Sequence, residues 1–192
     1  MRKLVIAIIG LLSLLPEIAY AHVVQGGGGF MSGLTHPVLG IDHLLAMLSV
    51  GILSAQMGGR SIWRVPATFV VVMLVGGIFG MKQVHIPYVE LGIVVSVVTL
   101  GLAIASERNL PAFLAMILVA IFAVFHGHAH GAEMPHLAKP LLYACGFVSG
   151  TSIIHIAGLL IGSIIKSFTY GSQLLRYLGA GIAGIGIYMI II

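Results

Sequence analysis

The chain has 192 residues, 59% of them hydrophobic and only 7% charged, with a formal net charge of +4 and a mean hydropathy of +1.16. A soluble domain carries about 25% charged residues, so this surface does not face water, and the basic residues fall singly between apolar runs rather than forming a nucleic-acid-binding cluster. The one cysteine, Cys145, lies inside an apolar run, which excludes an internal disulfide and reads as a small packing residue.

The N-terminus reads as a secretory signal peptide over residues 1–21. Arg2 and Lys3 form a basic start, Leu4 to Leu15 an apolar core, and Ala19-Tyr20-Ala21 a small-residue cleavage site. The apolar run ends at Pro16 and Glu17, short of the roughly 20 residues that a membrane span needs. Cleavage after Ala21 exposes His22, whose α-amine and imidazole form a chelating pair at the new terminus. The Gly26–Gly29 run reads as a flexible lead into the first span.

Six apolar segments follow, near Thr35–Met57, Trp63–Met81, Pro87–Ala105, Leu110–His128, Leu141–Ile165 and Leu174–Ile192. Backbone polar groups in hydrocarbon must be satisfied within the chain, so each segment is predicted to be a helix. The fold expected is an all-α, six-transmembrane-helix bundle, one domain over residues 22–192. Gly76 with Gly80, and Gly179, Ala180, Ala183 and Gly184, are spaced for close helix contact. Spans one to three and four to six run in opposite directions, the arrangement of inverted-repeat transporters, although no residue-level repeat is visible.

Export of His22 places the loops after spans one, three and five in the cytoplasm. Those loops carry Arg60, Arg64, Arg108, Lys166 and Arg176, against Lys82 and Lys139 on the other side. That bias obeys the positive-inside rule and implies a multi-pass protein of the bacterial inner membrane with a periplasmic mature N-terminus. On this map none of the nine histidines falls in a cytoplasmic loop. His22, His36, His85, His128, His130 and His136 lie at the outer face, His126 and His43 one and two turns inside it, and His155 near mid-span. They mark a route from the outside towards the membrane centre.

Two motifs concentrate the chemistry. In His36-Pro-Val-Leu-Gly-Ile-Asp42-His43, the histidines share a face of a straight helix but stand about 10 Å apart along its axis. One ion with bonds near 2.1 Å is hard to reach from both, so either Pro37 and Gly40 irregularise the first turns or the two histidines are successive stations. Pro37 suits the first helical position. Asp42 is a carboxylate inside a span, costly there unless it is paired, coordinates an ion or orients an imidazole. In Phe125-His126-Gly-His128-Ala-His130-Gly-Ala-Glu133, a helix puts His126 and His130 on one face and turns His128 away, whereas an extended segment aligns all three. The glycines weaken the helix there. Three imidazoles and the Glu133 carboxylate suit nickel, cobalt, zinc or copper. Secondary candidates are His22, His155 and Glu90. His155 has no acidic neighbour in sequence and reads equally as satisfied polar packing.

With His36-Pro37, Gly40, Asp42-His43, Ala46-Met47 and the run Phe125–Glu133 in view, the chain resembles the HupE/UreJ family over essentially its whole length. The resemblance implies a nickel, or in some members cobalt, permease that indirectly serves the maturation proteins of hydrogenase or urease. It carries metal handling to His36, Asp42, His43, His126, His130 and Glu133, with His128 at a variable position. The function expected is therefore a secondary permease importing Ni²⁺ across the lipid bilayer, not an enzyme. The ion is cargo, no cofactor is permanently bound and nucleic acid is not a partner. Neutral imidazole is the ligand, so uptake should fall below about pH 6.5. The rival readings are an intramembrane zinc-dependent hydrolase and a non-conducting metal-binding accessory protein.

Overall fold

The computed structural model describes residues 29–106, 110–135 and 138–192, so the signal peptide expected over residues 1–21, His22 and His136 lie outside the described residues. Among the described residues seven helices follow one another: α1 (Gly29–Leu39), α2 (Ile41–Met57), α3 (Ser61–Met81), α4 (Val89–Ser106), α5 (Ala112–Ala132), α6 (Pro140–Lys166) and α7 (Gly171–Ile191). Helices α3 to α7 are each long and apolar enough to cross a membrane, and α1 with α2 makes a sixth candidate crossing bent by 84°. The chain is thus an all-helical multi-pass membrane protein. Its outward side chains are those lipid accepts, such as Val71, Ile78, Ile121, Ile153 and Leu160. Cys145 joins that exposed face of α6 rather than packing inside.

The first span departs from a straight helix at Gly40, whose φ of −92° and ψ of 121° are extended. The described residues are already helical at Gly29, so Pro37 sits buried in the last turn of α1 rather than at a helix start. Gly29 is likewise not part of a free lead: a Cβ there would stand 3.0 Å from the Lys139 carbonyl oxygen.

Small residues set three tight seams. Helices α3 and α5 run parallel, and a Cβ on Gly127 would collide with the carbonyl of Met73, as one on Gly131 would with that of Gly77. The glycines of the second His motif therefore serve close approach, and the motif stays helical. Helix α6 lies along α1 and then α2, with Gly33 against Tyr143 and Gly51 against the His155 carbonyl. Helix α4 pairs with α7, where a Cβ on Gly179 would stand 2.6 Å from the Gly101 carbonyl, while Gly184 meets only open space. In terms of spans the seams are two with four, one with five and three with six. Exchanging the first three spans for the last three turns this set into itself, the contact pattern of an inverted repeat.

Candidate metal site

The site is assembled where α1 breaks into α2 beside the end of α5. A Cβ on residue 40 would stand 2.8 Å from Asp42 Oδ1 and 3.1 Å from His43 Nδ1, so glycine both permits the bend and leaves room for this pair. Asp42 occupies the first turn of α2, where the helix dipole favours an anion. Its Oδ1 accepts the His43 backbone N–H at 2.8 Å and lies 3.0 Å from His43 Nδ1. At the other lip of the break, His36 Nε2 donates to Glu133 Oε2 at 3.0 Å. Glu133 caps the end of α5, and that hydrogen bond holds its carboxyl below the ordinary value against the opposing effect of partial burial.

The bend brings together histidines that a straight helix would hold apart. The ring centroids of His36 and His43 are 6.5 Å apart. His130 lies 4.8 Å from His36 and 5.0 Å from His43, and His126 lies 5.1 Å from His43. His126 and His130 are fully buried on one face of α5, and Phe147 stacks on the His130 ring at 5.4 Å. The rings meet largely edge to face, and among the described residues no three His, Cys, Asp or Glu side chains yet close on one point. Bringing three of these side chains to one point would require ring rotation.

The hydrogen bonds fix which nitrogens remain for an ion. His43 Nδ1 faces a carboxylate and His126 Nδ1 donates to the Phe122 carbonyl at 3.0 Å. In the neutral rings this leaves the lone pair on Nε2, and Nε2 of both residues is buried without a partner, as are both ring nitrogens of His130. A buried polar atom without a partner is unfavourable, so three unpartnered imidazoles at one spot indicate a site for a ligand.

The other sequence candidates stand apart from this cluster. His128 points away on α5, with Nε2 2.8 Å from the Val84 carbonyl. Glu90, exposed in the first turn of α4, is within electrostatic reach of Glu133, His43 and Asp42. His155 lies deeper, with Phe69 between it and His126. Neither of its ring nitrogens has a partner, so it is not a satisfied packing residue. Sequence reasoning missed Phe69, Phe147 and Tyr143, whose buried hydroxyl also lacks a partner and whose ring lies 6.2 Å from His36. Single aromatics in apolar runs carry no spacing signal that would have found them.

The family of HupE / UreJ proteins matches residues 10–189. Protein HupE of Rhizobium leguminosarum bv. viciae is 39% identical over 177 residues, covering 92% of each chain. No solved structure matches the chain. A match across nearly the whole length, including both histidine motifs, shows that the chain belongs to the HupE/UreJ family.

Proposed function

We propose that the chain is a secondary permease that takes Ni²⁺, with Co²⁺ as the nearest competitor, inward across the bacterial inner membrane to supply hydrogenase or urease maturation. The observation that carries this reading is the set of unpartnered imidazole nitrogens at the Gly40 bend, flanked by Asp42 and Glu133. His36 and Glu133, the more exposed pair, replace part of the ion's water. Asp42 supplies the fixed anion that a dication needs in a low-dielectric surrounding. His43, His126 and His130 then offer the borderline nitrogen donors suited to nickel and cobalt. The symmetric pairing of the two halves supports a rocking carrier in preference to a static scaffold.

Uptake of radioactive nickel by cells expressing the chain, in competition with Co²⁺, Zn²⁺ and Cu²⁺, tests the reading. Uptake above that of cells lacking the chain, reduced most by Co²⁺, is the expected result. Uptake no greater than in those cells overturns the permease and leaves the non-conducting accessory protein. Sidedness is tested by labelling single cysteines: one at Gly59 should react from the cytoplasm and one at Ala138 from outside.

A further inference from the structure

The line of imidazoles does not stop at His126. One ring deeper stands Phe69, touching His126 on one side, at 5.3 Å between centroids, and His155 on the other, at 5.2 Å and 84°. His155 is 3% exposed, sits at mid-bundle with its carbonyl against Gly51, and leaves both ring nitrogens unpartnered. An apolar residue of similar size would fill this space without leaving polar atoms unmatched. Packing alone therefore does not explain an imidazole here.

A second, separate anomaly lies one turn outward. Thr151 and His155 are four apart on α6, and Phe69 and Met73 four apart on α3, so each pair shares a helix face. Thr35, Thr68 and Thr99 all bond the carbonyl four residues back on their own helices. Thr151 instead turns its hydroxyl across the helix interface to Met73 Sδ at 3.6 Å. Both residues are fully buried. The Thr151 hydroxyl and the Met73 thioether thus meet at the α3–α6 crossing, one turn outward of the Phe69 and His155 rings.

We infer that His155 forms a second, inner transit site for the divalent ion, that Phe69 is the partition between it and the outer cluster, and that Thr151 Oγ1 and Met73 Sδ line the approach one turn outward. The inference rests on the permease reading above. A single strong nitrogen donor suits a station that an ion must leave: it replaces water without trapping the ion. Displacement of the Phe69 ring opens the space between the free Nε2 of His126 and the His155 ring, so the ion changes ligands without entering bare hydrocarbon.

The test uses the full chain, with equilibrium Ni²⁺ binding measured in detergent and Ni²⁺ influx measured in proteoliposomes holding a metal-quenched dye. His155→Leu fills the volume without a donor and should melt at or above the wild-type temperature. It should keep the Ni²⁺ affinity of the outer cluster within about twofold. Its maximal influx should fall at least about tenfold at an unchanged half-saturating concentration. His155→Cys, made in a Cys145→Ser background, restores a donor and should recover influx with its preference moved towards Zn²⁺ and Cd²⁺. Influx at the wild-type rate in His155→Leu overturns the inner site while leaving the permease intact. Loss of Ni²⁺ binding in His155→Leu also overturns it, because it merges His155 with the outer cluster. Absence of influx in the wild-type chain sinks the permease reading itself.

Discussion

Polar side chains in the half of the bundle away from the histidine motifs mostly bond the backbone, whereas those at the Gly40 bend face one another. Ser54 bonds the Val50 carbonyl at 2.6 Å and Ser106 that of Ala103. Gln56 reaches the Ile104 carbonyl, and Lys166 caps the end of α2 through the carbonyls of Ala55 and Gln56. These bonds occupy side-chain donors, and those of Gln56 and Lys166 also tie helices together. At the bend, two carboxylates each hold one imidazole, and the nitrogens beyond are unpartnered. The contrast separates side-chain donors that hold the fold from imidazole nitrogens left without a partner, with Gln56 Oε1 the exception at the other end. His155, in the middle of the bundle, belongs with the second kind.

Substitutions at the bend should therefore cost transport, and those along the seams should cost stability. Asp42→Asn should lower nickel uptake at least a hundredfold while folded protein remains in the membrane. A unit charge pair at 4 Å is worth about 4 kcal/mol at an effective dielectric of 20, and about 1.4 kcal/mol is a decade. Wild-type uptake by this variant would assign Asp42 to helix packing. His43→Ala should be nearly as severe in the same assay.

Gly40→Ala should weaken nickel binding about tenfold with little change in thermal stability, because its Cβ pushes against Asp42 and His43. Unaltered binding in calorimetry would show that the bend and the pair tolerate a methyl group there. Gly127→Ala should lower stability by about 1–3 kcal/mol, since its Cβ meets the Met73 backbone. Gly184→Ala, facing open space, should stay within about 0.5 kcal/mol of wild type. Thermal unfolding in detergent compares the two glycines directly, and equal losses would end the assignment of Gly127 to a seam. The smallest functional effect is expected for His128→Ala, with the bond to Val84 lost and uptake kept within about threefold.

The six apolar segments were legible because hydropathy over about 20 residues is a local property, and the structure places a helix or a bent helix pair on each. The facing of His126 and His130 was legible once helicity was assumed, because it follows from spacing alone. The bend at Gly40 appeared only as one of two alternatives. A glycine's conformation is decided by what packs around it, here Asp42 and His43. The glycines of the second motif were read as helix weakeners, since nothing in the sequence announces the Met73 and Gly77 carbonyls facing them. His155 could not be classified for the same reason: whether an imidazole is satisfied depends on atoms remote in sequence.

The placement of charge along the bundle has an electrical consequence. Asp42, Glu90 and Glu133 gather at the histidine end, while Arg60, Arg64, Lys166 and Arg176 lie towards the other. With the histidine end outward, as proposed, a dication is drawn to the acids and then travels down the membrane potential. Two charges crossing 100 mV release about 4.6 kcal/mol, enough to sustain an accumulation of about three orders of magnitude. Voltage alone would then drive import without a nucleotide or a coupled proton, and clamping the potential to zero in vesicles would leave only equilibration.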